Sequence, residues 1–275
     1  MPAENVEVLA LPIDDSWLRD NGPIIVTGRD AEGRAVRAGV DFRFNAWGEA
    51  FDRYDDDADV SRRLLEHLGI ERIASPLVLE GGSIAVDGEG LLATTEQCLL
   101  NPNRNPDATR EQIERELRAR LGVERIVWLG QGLVEDADTD GHVDNICAFL
   151  APGRALVQLA PAGDPNYDNA QENARILRDA GVDVVPWELL PRTERSSGEP
   201  IAIPYTNFYT CNGAAIVPLA GLDPDMDAEA LRRLRELLPG REVVGVPGRT
   251  LAFGGGGVHC ITQQIPALPD GEASA

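Results

Sequence analysis

The sequence predicts an α/β fold assembled from small repeated units, and three observations carry that expectation. Short β-type runs alternate with amphipathic helical stretches, the order strand, strand, helix, strand recurs along the chain, and a glycine follows closely on each long helical stretch. No unit is large enough to bury its own apolar face. The units must therefore share a centre, and a ring about a pseudo-symmetry axis satisfies that requirement.

The β-type runs fall at residues 7–11, 23–27, 83–86, 91–94, 126–129, 146–150, 155–159, 182–187, 214–217, 242–246 and 258–264. Helical periodicity covers 60–68, 108–121, 169–180 and 227–238, with Gly69, Gly122, Gly181 and Gly240 as stop signals. One unit spans 80–129, with VDGEG as the turn between its first two strands. A second spans 144–187, with PGR at the same turn, and a third spans 206–246; residues 17–73 form a fourth, less regular one. Polar, glycine-rich clusters open or precede the first strand of the units: WLRDNGP, LEGGS, DGHVDN, YTNFYTCNG and GGGGVHC. In a ring these ends converge, so residues distant in sequence line one pocket.

A chain of 275 residues with 43% hydrophobic residues can bury one substantial core, and no linker divides it, so residues 1–268 are expected to form one domain. The small, polar stretch 269–275 is expected to be disordered. No apolar run approaches the length of a membrane span and the first residues are too polar for a secretory signal, which implies a cytoplasmic protein. The net charge of −21 excludes nucleic acid as a partner, because no basic stripe is present to neutralise phosphates. An acidic field suits a cationic small molecule. All the basic residues are arginine, however, and surface acidity of this kind also follows from composition alone.

The four cysteines, Cys98, Cys147, Cys211 and Cys260, lie far apart with no paired-ligand spacing, so neither disulfides nor a zinc site is expected. Cys260 stands apart because Gly254 to Gly257 precede it. Four glycines on a core-bound segment are costly unless the backbone must approach something closely or take an unusual conformation. His142 and Asp144, two apart, share a face if the segment is extended, which suits a general acid/base beside a substrate-holding carboxylate. His259, next to Cys260 on an expected strand, should face the other way and be structural. Glu80, before a double glycine, and Asp20, in WLRD, are the remaining candidates. An HxD pair could hold a metal, but no second ligand cluster accompanies it, and no cofactor is expected.

The motifs DDSWLRDNGP, FNAWG, LEGGSI, DGHVDN, YTNFYTCNG and GGGGVHCITQQIP, in that order between residues 13 and 266, resemble the agmatine deiminase family of the guanidino-group-modifying, or pentein, superfamily. The resemblance implies an α/β propeller of ββαβ modules around a pseudo-fivefold axis, of which about four are present. It implies hydrolytic deimination of agmatine through a covalent thiouronium, with Cys260 as nucleophile, His142 as general acid/base and Glu80 as its partner. By the same resemblance Asp20 and Asp144 grip the guanidinium and Trp17 lies along the aliphatic arm of the substrate. Arg19, beside Asp20, is expected to turn away, leaving no second arginine for a substrate carboxylate. Another guanidine such as peptidyl-arginine, or a non-catalytic binding role, are the alternatives. In the family a whole module precedes the WxRD motif, whereas only a short stretch precedes Trp17 here. The expected explanation is a recorded sequence that lacks that module, with a homo-oligomer as one way to cover the exposed edge.

Overall fold

The computed structural model describes residues 6–268. Four three-stranded sheets repeat one topology. In the first unit α1 (Leu18–Asn21) leads into β1 (Ile24–Arg29) and β2 (Ala35–Arg43), and α2 (Ala46–Glu49) and α3 (Asp57–Leu68) cross over to β3 (Glu71–Val78). The second holds β4 (Ile84–Val86), β5 (Leu91–Thr95), α4 (Glu96–Leu99), α5 (Arg110–Leu121) and β6 (Arg125–Leu129). The third holds β7 (Cys147–Ala151), β8 (Arg154–Gln158), α6 (Tyr167–Asp179) and β9 (Asp183–Trp187). A hairpin of β10 (Arg192–Glu194) and β11 (Pro200–Ala202) precedes the fourth, made of β12 (Tyr209–Cys211), β13 (Ala214–Leu219), α7 (Pro224–Leu237) and β14 (Glu242–Pro247). The short α8 (Arg249–Phe253) follows.

In every three-stranded sheet the middle strand pairs antiparallel with the first and parallel with the last. A parallel pair needs a crossover of a dozen or more residues, and the long helix of each unit supplies it. Local chemistry sets the helix ends. Thr109 and Gln112 form a reciprocal capping box at the start of α5, and the Asp223 side chain accepts from the backbone of Asp225 and Met226 at the start of α7. Gly69 and Gly122 close α3 and α5 with φ of 63° and 68°.

The cores lie between units rather than inside them. Val40, Phe42 and Leu77 of the first unit pack with Leu92, Ile113 and Leu117 of the second. Leu91, Val127 and Leu129 of the second join Val157, Ala174 and Leu177 of the third, and Leu156 and Trp187 of the third join Val217, Ala230 and Leu234 of the fourth. Each sheet thus completes its neighbour's core, as expected of units too small to stand alone.

The expected strand at 7–11 is irregular chain; Val8 is 90% exposed, and no ladder partner takes up the alternation. The expected strand at 258–264 is a turn followed by irregular backbone, because its polar groups are satisfied outside any sheet. The Cys260 carbonyl accepts from Arg19 N at 2.9 Å, and His259 N donates to the Asn207 carbonyl at 3.2 Å. Strands β2, β3, β10, β11 and β12 were not anticipated; β2 and β3 carry charged residues at exposed positions that obscure their pattern. The tail 269–275 lies outside the described residues. No helix among the described residues is long and apolar enough to cross a membrane.

Candidate active site

All five glycine-rich clusters deliver a residue to one region. The run before Cys260 is glycine because two neighbours crowd it and one of its residues takes left-handed backbone. A Cβ on Gly256 would lie 2.4 Å from a ring carbon of Trp17, one on Gly257 would lie 2.2 Å from Asn207 Oδ1, and Gly255 has a φ of +105°. The backbone can therefore press Cys260 against Asn207, whose Nδ2 is 3.4 Å from the sulfur, and against Asp144, whose Oδ2 is 3.8 Å from it. Trp17, Phe44, Ala46 and Trp47 form the apolar wall around the thiol.

Gly82 is the second crowding point. It sits in a 3-10 turn after Glu80, and a Cβ there would lie 2.6 Å from His142 Nδ1, 2.8 Å from Asp20 Oδ1 and 3.2 Å from Asp144 Oδ2. Three functional groups thus converge on the space a side chain would fill. Asp20 is fixed at both oxygens: Gly82 N donates to Oδ1 at 2.9 Å and Trp47 Nε1 donates to Oδ2 at 3.0 Å. Asp144 pairs through Oδ2 with His259 Nδ1 at 2.8 Å, while its Oδ1 is buried without a hydrogen-bond partner.

His142 caps a 3-10 turn over Val143–Asn145 instead of lying on an extended strand. It and Asp144 nevertheless reach the same space, the turn doing what alternation was expected to do. Asp136 and Thr139 hold the His142 backbone N–H. Its Nε2 faces Glu80 Oε2 at 3.7 Å, an ion-pair distance too long for a hydrogen bond. Glu80 is fully buried, and Arg104 Nε, equally buried, donates to its other oxygen at 2.6 Å.

The charges decide the protonation states. Burial alone would lower the His142 imidazole, but Asp20, Cys98 and Glu80 outweigh it and hold it well above the usual histidine value. Burial would raise the Glu80 carboxyl, and His142 and Arg104 overcome this to hold it below the ordinary glutamate value. Asp20 is different: burial wins over His142 and lifts it to about 6. Asp144 is held low against burial by His259 and His142, and with Asp144 ionised the pairing requires the proton on His259 Nδ1. The Cys260 thiol is pushed well above its usual value by burial, then by Asp144 and Asp20.

A cavity of about 440 Å³ opens beside Arg19, Asp144 and His259, and a cleft of about 50 Å³ lies beside Asp136, Asn145, Asn207 and Gly257. Cys260 itself is only 7% exposed between them. One group of described residues could hold a metal ion: Glu80, Cys98 and His142 each place a donor atom within 4.8 Å of the others. Arg104 already occupies the second oxygen of Glu80, so a cation there would sit against a guanidinium.

The sequence pattern of the Porphyromonas-type peptidyl-arginine deiminases matches residues 1–266. The chain belongs to that family. An agmatine deiminase of Medicago truncatula is 41% identical over 96% of this chain and 79% of its own. Among solved structures, a cysteine-to-serine variant of the C. jejuni agmatine deiminase with substrate bound is 30% identical with a TM-score of 0.85, covering 94% of this chain and 75% of that one. The Enterococcus faecalis agmatine deiminase is 31% identical with a TM-score of 0.82, covering 93% and 76%. The four-sheet architecture is accordingly the pentein-type α/β fold of these deiminases.

The structure brings Cys260, His142, Glu80, Asp20, Asp144 and Trp17 into one neighbourhood of this deiminase-family fold. It corrects two expectations. His259 does not face away: with no strand to impose alternation, it pairs with Asp144. Arg19 does not turn wholly away: with its Nε on the His259 carbonyl and its Nη1 on the side chains of Gln263 and Gln264, it is buried and lines the same cavity as Asp144 and His259. Sequence reasoning also missed Arg104, Cys98 and Asn207. Asn207 lies in a cluster already marked as polar and glycine-flanked; Arg104, in NPNRNP, carries no periodic signal that could have found it.

Proposed function

We propose that the chain hydrolyses agmatine to N-carbamoylputrescine and ammonia through a covalent adduct on Cys260. The observation that carries the reading is the unpartnered Asp144 Oδ1, a carboxylate oxygen buried beside the thiol. A guanidinium, planar, permanently charged and rich in donors, is the ligand such an oxygen fits, with Asp20 gripping a second edge. The buried pair turns the central carbon toward Cys260, and Trp17 flanks the aliphatic arm.

In the empty site the sulfur stays protonated. An arriving cation offsets Asp144 and Asp20 and lowers the thiol, whose proton passes to solvent to leave a thiolate. The thiolate attacks the guanidinium carbon to form a C–S bond. His142, kept protonated by Asp20 and Glu80, gives its proton to the departing nitrogen, the C–N bond breaks and ammonia leaves. A water then adds to the thiouronium carbon while His142 takes its proton. The C–S bond breaks, the remaining hydroxyl proton passes to the released ammonia or to solvent, and the neutral ureido product leaves with the thiolate restored and His142 protonated.

The test is ammonia release from agmatine, free arginine and a peptide ending in arginine. Agmatine turned over with the highest kcat/KM supports the reading. Faster turnover of the arginine peptide moves the substrate to peptidyl-arginine, and arginine alone as substrate overturns the assignment.

A further inference from the structure

The FNAWG motif contains the most unusual backbone among the described residues. Ala46, Trp47, Gly48 and Glu49 have φ of 52°, 55°, 88° and 63°, one turn wound in the left-handed sense although three of the four carry side chains. Left-handed backbone is costly for such residues and persists only where the surroundings over-determine it.

The surroundings do so here. Asn45 accepts from Gly48 N through Oδ1 at 2.9 Å and donates through Nδ2 to the Asn103 carbonyl at 2.9 Å. A Cβ on Gly48 would lie 2.4 Å from Asn103 Nδ2 and 2.6 Å from Arg104 Nη1, so the turn seats directly on the loop whose arginine holds Glu80. Trp47 packs edge-on to Phe44 and Phe51 at 5.0 Å and 5.8 Å between ring centroids. A phenylalanine on ordinary backbone could fill that apolar space. What the turn adds is the direction of one indole N–H, aimed at Asp20 Oδ2.

We propose that Trp47 is a positioning residue for Asp20, and that the left-handed turn exists to hold its indole N–H on the carboxylate that grips the substrate. The proposal rests on the guanidinium reading above and deepens it. Indole is a donor only, so its bond favours an ionised Asp20 oriented by Gly82 and Trp47 together. His142, Arg19, Asp144, Glu80 and Cys260 are the other titratable or charged groups that act on this carboxylate. His142 and Arg19 support its charge, and the three acidic groups oppose it.

Two measurements test the proposal. In Trp47→Phe, kcat/KM for agmatine at neutral pH is expected to fall on the order of tenfold, as for a lost bond to a charged group, with the acidic limb of its pH profile displaced to higher pH. A merely structural role would lower thermal stability and leave the limb in place, and that result would overturn the proposal. The second measurement needs no turnover. Of the four tryptophan indole N–H resonances, that of Trp47 should titrate with a midpoint of about 6, and Asp20→Asn should abolish the titration. A Trp47 resonance that does not follow Asp20 ends the inference even where Trp47→Phe fails to fold. Absence of agmatine turnover in the wild type would instead sink the functional reading, leaving the indole titration to decide this one.

Discussion

Replacing Gly82 by alanine adds one methyl group at the point where the functional groups meet. Gly82 has no left-handed φ, so alanine can take its backbone conformation and the perturbation is local. The new carbon would lie 2.6 Å from His142 Nδ1 and 2.8 Å from Asp20 Oδ1, well inside ordinary contact distance, and neither neighbour can retreat freely because both are buried. Overpacking of this kind costs about 1–3 kcal/mol of stability, which corresponds to roughly 2–4 °C of melting temperature per kcal/mol in a domain of this general size. The effect on chemistry should be larger, because displacing reacting groups by about 1 Å can cost on the order of 100-fold in rate. Ammonia release from agmatine together with calorimetry would show a folded protein with kcat/KM down about 100-fold. A folded variant within threefold of wild type would refute the convergence of His142, Asp20 and Asp144 as the reacting centre.

Cys260→Ser should lower turnover by at least about 1,000-fold and leave no substrate-derived mass on the protein, while agmatine binding by calorimetry persists; residual adduct elsewhere would disprove the nucleophile. Because burial, Asp144 and Asp20 raise the thiol, alkylation of Cys260 in the free protein should be slow at pH 7–8 and still be rising above pH 9, and Asp144→Asn should speed it at pH 8. Peptide mapping separates Cys260 from the other cysteines, and a wild-type rate already level near pH 7 would contradict the charge argument. Arg104→Leu strands a buried carboxylate and should cost about 3–5 kcal/mol by denaturant unfolding. Glu80, held low in the folded protein, contributes stability present above the ordinary glutamate value and lost as the pH falls through its folded value, so the variant's deficit should shrink in acid.

The repeat was legible because each unit carries the same punctuation. VDGEG and PGR lie where β4 meets β5 and β7 meets β8, and the helix of each crossover ends near a glycine, so unit boundaries could be read from local chemistry alone. The polar clusters were legible for a related reason, since Gly82, Gly256 and Gly257 are excluded volumes written into the sequence. Geometry that depends on tertiary partners was not legible. His259 was misjudged because alternation holds only on a strand, and no strand forms where Arg19 and Asn207 satisfy the backbone instead. Arg104 escaped notice because its role comes from a carboxylate 24 residues away, and nothing local hints at that pairing.

Arg19 ties together segments 240 residues apart, its backbone N–H on the Cys260 carbonyl and its guanidinium on His259 before it and Gln263 and Gln264 beyond it. A nascent polypeptide that has emerged only as far as residue 250 holds the acids and the imidazole but not the Cys260 thiol, and a cluster of carboxylates without its cover. On the proposed mechanism, with Cys260 as nucleophile, chemistry would begin in a single late event, when that final stretch docks. By the same mechanism, proteolytic clipping after α8 would remove the proposed nucleophile while sparing all four sheets.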